Sequence, residues 1–255
     1  MLHTHAYPIC EYDTCREGVI RPEDFMEKDL PRLCVITFFR RELEAFAAEK
    51  GLPLLGVMHS EVADLPIYGY GEGEEHICIA VPFACSAGAA GTIEELRARG
   101  CEKFLICGGA GCIKSGLELG QVIVPTAAVR DEGASYHYLP PAREVDGHGA
   151  AIAAVCCGLE KLGVPYMKGK TWTTDAMCRE TPEMVRRRRE EGCLTVEMET
   201  AAFFALSQFY DLPLAQLLYA GDDVSGQQWD SRNWNGVESV RSRLIRVALE
   251  LVKAL

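Results

Sequence analysis

The sequence lacks long apolar runs, and no stretch approaches the roughly 20 residues that a membrane-spanning helix needs. We also expect no signal peptide, because the segment from Met1 to Arg16 is polar and is interrupted by Pro8. Basic residues are few, 26 against 37 acidic ones, which gives a net charge of −11. We therefore expect a cytoplasmic protein that binds neither nucleic acid nor membranes.

The 12 cysteines lack the spacing of a metal site. No Cys-x-x-Cys pair occurs, and the pairs Cys10–Cys15 and Cys107–Cys112 have no further His or Cys at zinc spacing. We expect the cysteines to be reduced and to pack as small, buried apolar side chains, as in a reducing compartment. We expect neither a metal nor a cofactor. The basic run at 186–189 stands among glutamates and indicates a solvated helix face.

Apolar runs alternate with helical patterns along the chain, and no repeat or linker divides it. Buried strands are predicted at 77–81, 103–107, 121–124, 164–167 and 214–220. Helices are predicted at 86–100, 149–162, 182–191 and 237–255. Continuous apolar strands separated by helices predict an α/β fold, in which residues 1–255 form a single domain around a central mixed, mostly parallel sheet flanked by helices.

Two acid clusters stand at the ends of apolar elements. Glu197 and Glu199 come directly before a run of small and apolar residues that indicates a buried helix. Asp222 and Asp223 follow an apolar strand. Because an unpartnered buried carboxylate costs free energy, an ordinary core element has no use for one. A solvated helix N-terminus explains either cluster alone, but together they favour a small-molecule site.

Two further segments follow predicted strands. The glycine-rich residues 108–111 predict a turn that either admits a ligand close to the backbone or only packs tightly. They match neither the dinucleotide nor the Walker pattern. Ser86 lies in a near match to the serine hydrolase nucleophile motif, but no histidine follows His148. We expect Ser86 to be a helix N-cap or a turn residue lining a cleft.

Five segments in register make the sequence resemble the nucleoside phosphorylase superfamily, with a chain of the uridine phosphorylase type. They are Cys-Gly-Gly-Ala-Gly (107–111), the stretch 120–135, Trp-Thr-Thr-Asp (172–175), Val-Glu-Met-Glu (196–199) and Gly-Asp-Asp (221–223). Val-Glu-Met-Glu followed by two alanines is the most specific of them. The resemblance implies that a nucleoside's N-glycosidic bond is cleaved by inorganic phosphate, which gives a free base and a sugar 1-phosphate.

The resemblance also implies roles for individual residues. Glu199 would bind the 2′ and 3′ hydroxyls of the ribose, and Met198 would pack against the sugar. Asp223 would protonate a purine base as it leaves, with a pKa raised by burial or by Asp222. The expected base-binding residues are Trp172, Thr173, Thr174, Val196 and Glu197, with Tyr138 as an alternative to Trp172 for stacking on the base.

The phosphate ligands of the family are reduced in this sequence. The stretch 35–41 replaces a Gly-Asp-Pro motif, Ile106 stands where an arginine is usual, and Gly109 replaces Ser or Thr. The remaining candidates for binding phosphate are Arg40, Arg41, Gly108, Gly109 and Ser86. Two alternatives therefore stay open: a nucleosidase that uses water, and a non-catalytic nucleoside-binding protein.

The resemblance further implies a homo-oligomer, either a dimer or a hexamer built from dimers. In the family the partner chain often lends an N-terminal His or Arg to the site. His3 and His5 are the candidates here, and a non-functional N-terminus is the alternative. Residues 175–180 contain Arg179 but no Gln. Together with Asp223, this favours a purine over a pyrimidine as the base.

Overall fold

The computed structural model describes all 255 residues. Its α-helices are α1 (Arg40–Lys50), α2 (Cys85–Ala98), α3 (Gly149–Lys161), α4 (Pro182–Glu190), α5 (Thr200–Tyr210) and α6 (Glu238–Leu251). Its strands are β1 (Leu2–His3), β2 (Tyr12–Asp13), β3 (Leu33–Thr37), β4 (Leu54–His59), β5 (Asp64–Tyr70), β6 (Ile77–Ala80), β7 (Lys103–Cys112), β8 (Val122–Asp131), β9 (Glu144–Asp146), β10 (Tyr166–Thr174), β11 (Cys193–Glu197) and β12 (Leu214–Asp223).

A mixed sheet of ten strands forms the centre of the fold, in the order β11-β10-β8-β12-β7-β3-β6-β5-β4, with β9 beside β8. Parallel pairs join β12, β7, β3 and β6 at its middle. Five of its pairings are parallel and five are antiparallel. The predicted α/β fold with a mixed sheet is confirmed, although the parallel share is smaller than expected.

Strand β11 also returns to β7 and pairs with it in the antiparallel sense, with Val196 opposite Gly111. Because β11 pairs with β10 as well, the strands β7, β12, β8, β10 and β11 close into a ring. This closure brings the Val-Glu-Met-Glu segment beside the glycines of β7. Two segments far apart in sequence therefore meet at one end of the sheet.

The glycine-rich residues 108–111 lie inside β7, so the predicted turn is wrong. Gly108 and Gly109 pair with Leu218 and Tyr219 of β12. A Cβ on Gly108 would lie 3.2 Å from the ring of Phe38, and one on Gly109 would lie 3.0 Å from the ring of Tyr219. The glycines thus provide room for aromatic rings from neighbouring strands and loops.

The helices fall into two groups around the sheet. Helix α5 packs against α2 and β8, whereas α1 and α3 pack against α6, which lies on β7 and β3. Helix α5 is apolar on all sides, with every residue from Thr200 to Ser207 buried, as is typical of a core helix. None of the helices has the length and apolar character that a membrane crossing requires.

The predicted strands and helices from residue 77 onward are all present, and most strands extend further than expected. The expected solvated face at 186–189 is wrong for Arg188, which is buried in α4. Its guanidinium pairs with Glu191 at 2.8 Å and lies over the ring of Trp172. The apolar methylene groups of Arg188 can be buried because its guanidinium is paired, which explains how this basic residue becomes part of the interior.

Replacing Phe204 by Ala should destabilise the fold, because its ring is fully buried in α5. We expect the free energy of unfolding to fall by about 3–5 kcal/mol, measured by urea denaturation. Phe25→Ala is the matched control, since that ring is 65% exposed and its loss should change stability little. Equal effects of the two substitutions would contradict the position of α5 in the core.

Candidate active site

A cavity of about 490 Å³ lies where β7, β11 and β12 meet, a volume suited to a small molecule. The residues that line it come from the ends of these strands and from the loops beside them. They are Phe38, Phe39, Gly108, Gly109, Ala110, Gly111, Met177, Glu180, Val196, Glu197, Met198, Glu199, Gln216, Leu218, Tyr219, Gly221, Asp222, Trp234, Asn235 and Arg241.

The Glu197 carboxylate anchors the wall formed by the end of β11. It accepts a hydrogen bond from the Thr173 hydroxyl at 2.6 Å, and from the backbone N–H groups of Glu199 and Thr200 at 2.7 Å each. These donors satisfy a carboxylate that is almost fully buried at the start of α5. Burial raises the pKa of Glu197, and the hydrogen bonds from Thr173, Glu199 and Thr200 oppose that shift.

Glu199 presents its carboxyl group to the same cavity. Its Oε1 accepts a hydrogen bond from the backbone N–H of Cys85 at 2.8 Å. Cys85 begins α2 with a left-handed backbone, φ 66°, a conformation that costs energy in a residue other than glycine. Burial, and then the charge of Glu197, raise the pKa of Glu199 to about 8. Such a shift is typical of functional acids.

A second pair of acids lines the cavity, Glu180 and Asp222. Asp222 accepts a hydrogen bond from the indole N–H of Trp229 at 2.6 Å. Burial, and then the negative charge of Asp222, raise the pKa of Glu180 to about 7. A carboxyl group that is half protonated near neutral pH can donate a proton to a bound molecule. Glu180 carries no motif that identified it from sequence.

Asp223, the predicted proton donor, does not line the cavity. Its carboxylate forms an ion pair with Arg232 and accepts the backbone N–H of Ser225 at 2.7 Å. Although burial raises the pKa of Asp223, the hydrogen bond from Ser225 and the charge of Arg232 hold it below its ordinary value. Asp222 and Asp223 are adjacent in β12, whose pairing with β7 shifts register between Ala220 and Asp223, and only Asp222 lines the cavity. The acids that the structure places at this side of the cavity are Asp222 and Glu180.

Arg241 of α6 is the one basic residue that lines the cavity, and its guanidinium donates four hydrogen bonds within the protein. It donates to the Tyr219 hydroxyl at 3.1 and 3.2 Å and to the Trp234 carbonyl at 3.3 Å. It also pairs with the carboxylate of Glu42 at 3.3 Å. Glu42 lies in α1 and directly follows the expected phosphate arginines. No sequence pattern pointed to this pair.

The expected phosphate ligands do not assemble into an anion site. Arg40 and Arg41 lie exposed at the start of α1 and do not line the cavity, and Arg40 pairs with Glu44 at 2.8 Å. Gly108 and Gly109 do line it, but inside a paired strand. Ser86 is neither an N-cap nor a cavity residue. It lies buried within α2, where Ala84 is the N-cap, and its hydroxyl donates to the Met198 carbonyl at 2.6 Å.

The expected base-binding residues divide into two groups. Val196 and Glu197 line the cavity, and so does Met198, which was expected to pack against the sugar. The structure does not place Trp172, Thr173 or Thr174 there. Trp172 is fully buried, and its indole N–H donates to Asp131 at 2.9 Å.

Three of the remaining candidates support structure instead of contacting the cavity. Thr173 holds Glu197 and accepts the N–H of Ala201, and Thr174 accepts the N–H of Ala176. Tyr138, the alternative for stacking, packs on Phe209 outside the cavity. Aromatic lining comes instead from Phe38, Phe39, Tyr219 and Trp234.

The N-terminal histidines lie outside the cavity of their own chain. His3 belongs to β1, which pairs with β2, and His5 packs beside Tyr7. Both are exposed. A contribution of His3 or His5 to the site of a partner chain, and the homo-oligomer itself, stay predictions.

Comparison with known proteins adds a second line of evidence to this geometry. A family model described as the phosphorylase superfamily matches residues 32–255. The chain is similar to a guanosine phosphorylase of Halorubrum lacusprofundi, with 30% identity over 186 residues, 67% of this chain and 75% of that protein.

Solved structures share the fold. A uridine phosphorylase from Vibrio fischeri has a TM-score of 0.74 at 22% identity, and the match covers 90% of this chain and 94% of that one. An AMP nucleosidase from Bacteroides thetaiotaomicron has a TM-score of 0.67 at 23% identity, covering 88% of this chain and 90% of that one. The predicted resemblance and α/β fold are confirmed.

Replacing Glu199 by Gln should stabilise the protein at alkaline pH. The pKa of Glu199, about 8, lies above the ordinary value of 4.5. Between these values the unfolded chain binds fewer protons than the folded one, so the free energy of unfolding falls as pH rises. Gln removes this penalty, which is absent below the ordinary pKa and reaches about 5 kcal/mol above the raised one.

Urea denaturation of the wild-type and Glu199→Gln proteins across this pH range measures the effect. Glu61→Gln, at an exposed position, is the control and should follow the wild-type curve. Parallel pH curves for wild type and Glu199→Gln would mean that Glu199 ionises freely in the folded protein.

Proposed function

We propose a nucleoside-cleaving activity for this chain, because the chain belongs to the phosphorylase superfamily. It is an enzyme of the nucleoside phosphorylase type. We propose specifically that it breaks the N-glycosidic bond of a purine nucleoside and releases the free base. The observation that carries this proposal is the convergence of two acid pairs in one cavity: Glu197 with Glu199, and Glu180 with Asp222.

The Glu199 carboxyl group suits the sugar. A carboxylate accepts strong hydrogen bonds from a vicinal diol, and two ribose hydroxyls would supply the donors that this buried group lacks. Only one hydrogen bond to its carboxylate oxygens is present in the empty cavity, from Cys85. Met198 and Val196 add apolar contacts beside it. Ribose binding would then favour the ionised form of Glu199, since hydrogen bonds to a charged form stabilise it.

The Glu180–Asp222 pair suits the leaving base. When the C–N bond breaks, the sugar develops oxocarbenium character and the base accumulates negative charge. Protonation of a purine ring nitrogen relieves that charge, and an acid with a pKa of about 7 is well matched to the task. Glu180 is the proposed donor. Asp222 is the proposed positioning residue, because its charge keeps Glu180 protonated.

Two nucleophiles can complete the reaction, and the cavity favours water over phosphate. Phosphate is the nucleophile that the phosphorylase names of the relatives suggest. An anionic nucleophile, however, needs cationic groups with free donors. The one basic side chain in the cavity, Arg241, is paired with the carboxylate of Glu42. Hydrolysis to ribose is therefore the favoured outcome, and phosphorolysis is the second candidate.

Release of free base from a panel of purine and pyrimidine nucleosides, with and without phosphate, tests the proposal. We expect purine release without phosphate and ribose as the sugar product. Release that requires phosphate and yields ribose 1-phosphate would establish phosphorolysis instead. Binding of nucleosides without any release would make the chain a non-catalytic binding protein, and preferential release of uracil would overturn the purine assignment.

Replacing Glu180 by Gln should lower kcat by about 10²–10⁴-fold, because the proposed proton donor is lost. In the wild type, kcat at saturating nucleoside should fall as pH rises through about 7, where Glu180 loses its proton. Asp222→Asn should move this alkaline limb to lower pH, since removing a negative neighbour lowers the pKa of Glu180.

The adjacent acid is the matched control for this experiment. Asp223→Asn should leave the pH limb in place, because Asp223 pairs with Arg232 outside the cavity. A shift of the limb in Asp223→Asn, with none in Asp222→Asn, would return the assignment to Asp223.

A further inference from the structure

Three buried cysteines meet at the end of the sheet away from the cavity. Cys34 begins β3 and lies opposite Cys78 of β6, and Cys101 precedes β7. The sulfur atoms of Cys78 and Cys101 are 3.4 Å apart, and all three sulfur atoms lie within 4.8 Å of one another. This is the one group of three metal-ligating side chains in the protein. The spacing along the chain did not reveal it, because the three residues come from separate elements.

We propose that Cys34, Cys78 and Cys101 form a binding site for one soft monovalent cation, Cu(I), held by three sulfur ligands. Thiolate ligands select soft ions, and Cu(I) is the soft first-row ion that accepts a low coordination number. Each thiol that ligates the ion releases its proton to solvent, so no oxidant or reductant takes part. This inference is independent of the nucleoside-cleaving activity.

The spacing of the sulfur atoms fits three-coordinate binding. With metal–sulfur distances of about 2.3 Å, three sulfurs in a plane around one ion lie about 4 Å apart. The three sulfur atoms all lie within 4.8 Å of one another, and the Cys78–Cys101 pair needs to separate by about 0.6 Å to reach this spacing. The thiols of Cys78 and Cys101 are already in hydrogen-bonding contact.

The absence of a fourth ligand distinguishes this site from a structural zinc site. Structural zinc is almost always bound by four protein ligands in a tetrahedron. No further Cys, His, Asp or Glu joins the group, and all three cysteines are at most 1% exposed, which leaves no open position for water. A closed pocket of three sulfurs therefore favours an ion that needs no fourth ligand.

Access to the group lies through the residues around Cys101. Arg99, two residues before Cys101, pairs with the carboxylates of Asp29 and Glu95. The cover is thin: Leu30 donates its backbone N–H to the Arg99 carbonyl at 2.9 Å, and Asp29 pairs with Arg99 at 2.8 Å. Opening of this short segment exposes Cys101 without disrupting the sheet.

The test uses the full chain with its other accessible cysteines changed to serine, to remove surface binding. These are Cys10, Cys15, Cys85, Cys157 and Cys178. Cu(I) is added anaerobically, weakly bound metal is removed by gel filtration, and retained copper is measured by elemental analysis. We expect one copper per chain, with three sulfur neighbours in its X-ray absorption spectrum and a higher unfolding temperature in the loaded protein.

Single Cys34→Ala, Cys78→Ala and Cys101→Ala variants in this background should each retain at least about tenfold less copper. Testing all three keeps the result clear if one variant fails to fold. Cys107→Ala is the matched control, because Cys107 is buried on the same sheet but outside the group, and this variant should retain one copper. No retained copper in the parent, or equal retention in the folded variants, would show that these cysteines serve only as packing and would overturn the proposal.

Discussion

The Glu197 carboxylate binds three donors in the interior of the protein, and these hydrogen bonds join β10, β11 and the first turn of α5. They determine where the chain leaves β11, because each donor would otherwise be buried without a partner. Glu199 follows two residues later and is thereby held against the backbone of Cys85. The position of Glu199, the proposed sugar ligand, thus depends on Glu197, an acid whose main task is structural. The Val-Glu-Met-Glu pattern combines both tasks within four residues.

The regular elements could be predicted because their signals are local. Apolar runs and helical periodicity predicted most strands and helices from residue 77 onward, but not the short strands β9 and β11. Such local signals could not predict that the glycine-rich residues 108–111 lie inside a strand. A glycine run after an apolar strand is typical of a turn, but here β12 and β11 pair with it on either side and extend the strand. Only the closure of the sheet, which is a long-range contact, decides whether these glycines form a turn or continue the strand.

The sequence predicted the segments that form the candidate site better than it predicted the individual residues that line it. Both acid clusters do reach the cavity, yet the choice between Asp222 and Asp223 depends on the end of β12, where the pairing with β7 shifts register between Ala220 and Asp223. Trp172 and Thr173 lie in a strand that leads to this end of the sheet, but both are fully buried and neither lines the cavity. Arg241 and Glu42 had no local signal, since they meet only when α6 packs against α1.

The electrostatics of the cavity bear on the proposal that its nucleophile is neutral. Burial raises the pKa of Glu180, Glu197 and Glu199, so the wall already carries acids at a cost in stability. A phosphate anion entering such a site needs a compensating positive charge with donors to spare. Arg241 provides little of it, because its guanidinium is shared among Glu42, Tyr219 and a backbone carbonyl. Water carries no charge and meets no such penalty. In the proposed reaction, Glu199 would stabilise the developing cationic sugar once ribose binding favours its ionised form, whereas Glu180 would stay protonated until the base leaves.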